Sequence, residues 1–291
     1  MKRRDFIKGS LLGALLPAAL AQATPDGGVA PGPADRLAAL ERRHGGRLGV
    51  AILDTGDGRR AAHRGDERFL MCSTFKVLTV AAVLARVDRG HERLERRIVF
   101  GPEVLLHYAP VTRLHTGTPG MSVEELCAAT LTLSDNTAAN LLLAALGGPH
   151  AVTAFVRELG DTVTRLDRTE PALNVTRPGD LRDTTSPRAM LETLRHLLLG
   201  EALAQPSRAR LLAWMRGCLT GADKLRAGLP AGWSAGDKTG SGAQGESNDI
   251  AILFPPGRPP LLVTAYYAAP AIDARRRSAV LAEVGGIAAM L

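Results

Sequence analysis

Aromatic residues make up only 4% of this 291-residue chain, so its core has to be built from Ala, Leu and Val. With 45% apolar residues, that points to a helix-rich soluble protein. Cysteine is scarce as well. Cys72, Cys127 and Cys218 are odd in number and lack framework spacing, which excludes a disulfide-stapled scaffold and leaves them as small buried fillers. The seven histidines show no H-E-x-x-H or similar ligand spacing, so no metal centre is expected. After residue 23 no run is long and apolar enough to span a bilayer. The formal charge is +7; the first 23 residues hold four cations and one carboxylate, so the remainder carries +4. That mild excess is spread widely, with few aromatics between, and leaves no nucleic-acid footprint. The chain contains no internal repeat or low-complexity segment.

What is present begins with a leader. Lys2-Arg3-Arg4-Asp5-Phe6-Ile7-Lys8 is a twin-arginine pattern, followed by an apolar run and the small-residue site Ala21-Gln22-Ala23. Residues 1–23 are therefore expected to direct export, giving a periplasmic or secreted protein. Substrates of that route fold before crossing, in a reducing compartment, which agrees with independence from disulfides. A Pro/Gly-rich lead-in precedes a first helix from Pro33, and Arg47 to Leu53 and Arg59 to His63 read as a hairpin around the turn Asp54–Gly58. Val77 to Arg89, with Gly90 behind it, reads as a buried helix. Ser122-Val123-Glu124-Glu125 is a capping box that opens a helix through Leu133. Further helices are expected at Thr137–Leu146, Pro149–Gly160, Pro187 to about Gly200, and Pro206–Gly217. Asp161 to Asp183 is a long charged loop, and such loops are usually functional or disordered. The tail changes character: Trp233–Thr239, Asp249–Phe254 and Leu261–Tyr267 read as strands, with a turn over Gly240–Glu246 and a last helix from Asp273. The expected fold is α+β: an antiparallel sheet built from both termini (24–66 and 218–291), flanked by terminal helices, with an all-α domain (67–217) inserted.

Four groups carry chemistry. Ser73 and Lys76, three residues apart, share one helix face, where a lysine of suppressed charge can help activate a hydroxyl and a helix start can stabilise an oxyanion. Ser134-Asp135-Asn136 interrupts two helices and can project a hydroxyl and an amide. Lys238-Thr239-Gly240, followed by Ser241, ends a strand with a cation, hydroxyls and a glycine that lets a ligand approach the edge. Glu170 and Asn174 lie in the long loop, and a carboxylate with an amide can hold and deprotonate one water. Each alone is an ordinary cap, turn or solvated loop.

Together, in this order, S-x-x-K, S-D-N and K-T-G form the trio of class A β-lactamases and penicillin-binding proteins. The chain resembles a class A serine β-lactamase over essentially its whole mature length, and Glu170-x-x-x-Asn174 is the class-specific element. The resemblance implies Ser73 as nucleophile, with Lys76, or Glu170 through a water, as its base. Ser134 passes a proton to the leaving nitrogen, and Glu170 with Asn174 aims the deacylating water. Asn136 and Tyr108 bind the substrate's side chain and line the cleft mouth. Lys238, Thr239 and Ser241 hold its carboxylate, and Gly240 belongs to that strand. Residues 165–183 resemble the Ω loop, pinned by an Arg168–Asp183 ion pair. No cofactor is required; the partner is a small β-lactam, with no membrane association after export, and a monomer is expected. A further cation near the carboxylate is left between Lys224 and Arg275, Arg276 or Arg277. Gly242 stands where some carbapenem-hydrolysing relatives place the cysteine that would pair with Cys72, and Val80 where others place a partner for Cys127. Ser241-Gly242 resembles relatives active on cephalosporins.

Two other readings share features. A penicillin-binding peptidase has the trio but lacks the Glu–Asn pair, and a β-lactam sensor domain needs a membrane anchor.

Overall fold

Five extended runs, four of them buried along nearly their whole length, pair into one antiparallel sheet. The structure, a computed structural model, describes residues 31–291, so the expected leader and most of the lead-in lie outside it. In chain order the main elements are α1 (Pro33–His44), β1 (Arg47–Asp54), β2 (Arg60–His63), β3 (Phe69–Leu70), α2 (Phe75–Asp88), β4 (Arg97–Ile98) and β5 (Met121–Ser122). Then follow α3 (Val123–Thr132), α4 (Asn136–Leu146), α5 (Pro149–Glu158), β6 (Thr184–Thr185), α6 (Pro187–Leu198), α7 (Gln205–Arg216), β7 (Ser234–Ser241), β8 (Glu246–Phe254), β9 (Leu261–Ala268) and α8 (Ala274–Ala288). The large sheet has the order β2-β1-β9-β8-β7. β3 pairs with β6, and β4 with β5.

Period-2 alternation sorts the sheet's side chains onto two faces. Leu48, Val50, Ile52, Leu253, Val263 and Tyr267 pack on one side with Leu37 and Leu40 of α1 and Val280, Leu281 and Val284 of α8. Ala51, Leu53, Ile250, Ile252, Leu262 and Tyr266 face the other way, toward the remaining helices. At the centre of those lies α2, buried at every position from Phe75 to Ala85. A helix apolar on all sides has to be surrounded, and α2 packs on α3, α4, α5 and α7. α3 opens on the expected capping box, Ser122 with Glu125.

Most boundaries shift by a residue or two, and two of the shifts bear on the site. α2 starts at Phe75, two residues before Val77. The expected turn Gly240–Glu246 shrinks to four residues, because β7 runs on through Ser241 and β8 starts at Glu246. Ser241, Ser247 and Asn248 are polar and read as a loop. In the fold they stay in register, Ser241 against Ser247 and Gly240 against Asn248. The Asn248 amide donates to the carbonyls of Leu70 and Met71, at 2.9 and 3.0 Å, and so fastens β8 to the segment leading into α2.

The loop 165–183 is tied at its neck. Arg168 Nε donates to Asp183 Oδ2 at 2.5 Å, and the amides of Asp167 and Arg168 donate to Asp183 Oδ1. Asp183 is fully buried. Arg168→Ala leaves that carboxylate without its cation, so it should cost about 3 kcal/mol. A urea titration should show the lower midpoint, and limited proteolysis should cut first within 165–183.

Candidate active site

The turn that carries Ser73 is shaped by its neighbours. Ser73 lies in a single 3-10 turn, Cys72–Thr74, that runs directly into α2. Cys72 has φ +46°, a left-handed conformation that side chains rarely adopt. Asn248, and the Asp183 carbonyl that accepts from Met71 N at 2.9 Å, hold the strand before it. β7 passes close behind: a Cβ on Gly240 would lie 2.8 Å from Met71 O and 3.2 Å from Ser73 N. Only glycine fits that approach.

Ser134 is likewise left-handed, with φ +59°, between α3 and α4. Asp135 fixes it there. Its carboxylate caps α4 by accepting from Ala138 N and also accepts from the amides of Val111 and Thr112, all at 2.9 Å. Asn136 N donates to Tyr108 O at 3.0 Å, which sets the aromatic beside the cleft.

These turns meet around Lys76, which is wholly buried. Its ammonium donates to Ser134 O at 2.7 Å, Asn136 Oδ1 at 2.6 Å and Ser134 Oγ at 3.1 Å, and lies 3.4 Å from Glu170 Oε1. Lys238, also wholly buried, donates to Ser134 Oγ at 3.0 Å and to Thr239 O at 2.9 Å. The Ser134 oxygen thus accepts from two cations, and its own hydrogen is left for the cleft. Ser73 Oγ donates to Glu170 Oε1 at 3.4 Å. Asn174 Nδ2 donates to Glu170 Oε2 at 2.5 Å, while Asn174 Oδ1 is buried without a protein partner among the described residues. Desolvation brings Lys76 down to about 7, against the opposing pull of Glu170. Burial lowers Lys238 as well.

All eleven residues singled out from sequence gather here. Ser73, Tyr108, Ser134, Asn136, Asn174, Thr239, Gly240 and Ser241 line a cavity of about 490 Å³. Lys76, Glu170 and Lys238 stand behind its wall. Of the four candidate cations, Lys224 lines the cavity, 3.3 Å from Gly240 O and 3.5 Å from Ser241 Oγ. α8 presents Ala274 and Ser278 to it instead of arginine; Arg277 donates to the Ile272 carbonyl and Arg276 lies 3.4 Å from Asp273. Cys72, Cys127 and Cys218 are free. Sequence reasoning missed Asn140, whose amide clamps the Glu170 backbone, donating to its carbonyl at 2.9 Å and accepting from its N–H at 3.0 Å. The available signal was its spacing, four residues after Asn136 on one helix face.

A sheet flanked by terminal helices, a serine at the head of a buried helix, a lysine one turn on and a loop carboxylate together define the class of penicillin-recognising serine hydrolases. The sequence model of the β-lactamase enzyme family matches residues 32–289. The chain is 51% identical to β-lactamase CTX-M-8 of Citrobacter amalonaticus over 253 residues, covering 87% of this chain and 86% of that one. It is 49% identical to β-lactamase OXY-2 of Klebsiella oxytoca over 252 residues, 87% of each. Its structure superposes on an ancestral class A β-lactamase with a TM-score of 0.86 at 62% identity, over 88% of this chain and 98% of the other. The putative class A β-lactamase PenP of Rhodopseudomonas palustris gives 0.86 at 53% identity, over 89% and 98%. The chain belongs to the β-lactamase family, in class A: it is a serine β-lactamase that hydrolyses β-lactams.

The lowered lysine can be watched directly. The Cε carbon resonance of Lys76 should titrate near pH 7. Glu170→Gln removes a negative charge that favours the ammonium, so the midpoint should fall further. A midpoint near 10 in the parent enzyme would show that burial does not govern this side chain.

Proposed function

We propose that hydrolysis proceeds through an acyl-enzyme on Ser73 that a water activated by Glu170 breaks down, with penicillins and cephalosporins as substrates. The observation that carries this reading is the convergence of Ser73 Oγ and Lys76 Nζ on one Glu170 oxygen, each at 3.4 Å, while Asn174 grips the other. That pair also favours a β-lactamase over a cell-wall peptidase, which shares the serine–lysine machinery but lacks the water-activating carboxylate.

Ser73 Oγ attacks the lactam carbonyl as its proton passes to Glu170, directly or through one water. The resting geometry supports Glu170 as that base, because Lys76 spends its hydrogens on Ser134 and Asn136. The carbonyl oxygen, now negative, is received by the amides of Ser73 and Ser241; the close approach of Gly240 to Ser73 N supports this pairing. The ring C–N bond breaks as Ser134 gives its proton to the nitrogen. Lys76, near neutrality, resupplies Ser134. Glu170 hands the serine's proton to Lys76, 3.4 Å away, and, again a carboxylate, takes a proton from water as it attacks the ester; that proton goes back to Ser73 Oγ as the serine leaves, and the free Asn174 Oδ1 is an acceptor suited to orienting the water. Asn136 Oδ1 is occupied by Lys76, so its NH₂ is left to bind the substrate's side-chain carbonyl, with Tyr108 at the mouth. Thr239, Ser241, Lys238 and Lys224 hold the carboxylate.

We also assign twin-arginine export to the periplasm or medium, on the Lys2–Lys8 pattern, and a monomeric state. The division into a sheet domain, 24–66 with 218–291, and a helical domain, 67–217, is part of the same reading. The separate apolar cluster under α1 and α8 supports it.

Glu170→Ala should leave acylation at least partly intact and stall hydrolysis, so intact-protein mass spectrometry should show a persistent penicillin adduct on Ser73. Ser73→Ala should show none. Wild-type turnover by the Glu170 variant would remove that residue from deacylation. The carboxylate site should carry its own pH signature. Burial lowers Lys224, with Asp249 and Asp223 pulling the other way. Its charge is lost as pH rises, so KM should climb below the pH of an ordinary lysine, about 10.4. Lys224→Arg stays charged and should abolish the climb; a climb left unmoved would assign it to Lys238.

A further inference from the structure

Behind the carboxylate-binding edge of β7 stand two polar groups, Thr220 and Cys218, that the mechanism above does not use. Thr220 Oγ1 lies 2.6 Å from Thr239 Oγ1 and 3.3 Å from Cys218 Sγ. Thr220 lines the same cavity as Ser73 and Ser241, and Cys218 is buried behind it. We infer that Thr220 is a positioning residue that aims the Thr239 hydroxyl at the substrate's carboxylate. The inference rests on the assignment of Thr239 to that subsite.

Two hydroxyls 2.6 Å apart share one hydrogen bond, so one donates and the other accepts. Which way it runs depends on what each could do otherwise. The other acceptor open to Thr239 is the substrate's carboxylate, and a charge-assisted bond is roughly twice as strong as a neutral one. Among the described protein atoms, the other side-chain acceptor near Thr220 is the Cys218 sulfur, which accepts weakly. With substrate bound, the favoured order is therefore Thr220 to Thr239 to carboxylate. Cys218 does not compete as a thiolate: burial and the nearby Asp237 carboxylate push its thiol up, so it stays protonated. The rest of Thr239 is already fixed. Its carbonyl accepts from Lys238, and it sits in register against Asp249 on β8. A β-branched side chain in a strand has little χ1 freedom, so the hydroxyl rotor is the freedom that remains for Thr220 to remove.

Thr220→Val keeps the side chain's shape and deletes the hydroxyl; Thr220→Ser keeps the hydroxyl. Both are assayed on a penicillin and on its methyl ester, which lacks the anion. Thr220→Val should raise KM for the free acid about threefold to tenfold, the loss expected for one hydrogen bond, with kcat nearly unchanged. Ester kinetics should not move, and Thr220→Ser should match the parent. An equal loss on acid and ester, or a serine variant as impaired as the valine one, would overturn the inference, because the hydroxyl would then serve packing alone. A parent enzyme that treats acid and ester alike would overturn the carboxylate assignment and this inference with it. Thr220→Ala, read in the same way, replaces the valine variant if that one does not fold.

Discussion

Lys76 and Lys238 are buried against the Ser134 hydroxyl and Glu170 against that of Ser73, and the rest of the molecule is arranged to make that tolerable. An isolated buried charge costs several kcal/mol, and the cost is offset only when partners are complete and well placed. Here each partner comes from a different part of the chain. Lys76 arrives on α2, Ser134 and Asn136 on the α3–α4 break, Glu170 on the loop 165–183, and Lys238 on β7. No one of these segments can keep its charge out of water until the others have docked. The catalytic centre and the contact between helices and sheet are therefore one cooperative unit.

The same cooperativity explains where the backbone is strained. Among the described residues, four that are not glycine have positive φ, and three of them, Cys72, Ser134 and Asp183, adjoin the site or its loop neck. Such conformations cost of order 1–3 kcal/mol each and persist where the surroundings over-determine them. Each is over-determined here. Asn248 and β7 hold the segment at Cys72, Asp135 holds the turn at Ser134, and Arg168 with two amides holds Asp183. Stability is spent locally so that three short turns point inward.

The legible part of the site was the part written in short local patterns. Ser73 with Lys76, Ser134 with Asn136, and Lys238 with Thr239 each lie within four residues, and the three pairs occurring together in this order made them legible. Groups whose role depends on a distant segment were harder to see. Asn140 looks like an ordinary polar residue on α4 until the loop brings the Glu170 backbone to it. Thr220 follows a helix end with no motif of its own. Asn248 and Ser247 broke an apolar run and shortened the expected strand, because nothing local says that Asn248 has the carbonyls of Leu70 and Met71 to bind. That Lys224 lines the cavity, and Arg275, Arg276 and Arg277 do not, turned on helix phase: α8 meets the cavity through Ala274 and Ser278.

Under the proposed carboxylate role of Lys224, a lysine at this place has an outcome for ligand tolerance. A guanidinium is flat and grips a carboxylate best in one plane, through two parallel bonds. The Lys224 ammonium is nearly spherical in its field and attracts an anion from many directions. Fused rings of five and of six members tilt the acid group differently. On that proposed role, a round charge at the far end of the groove accepts both tilts with little loss.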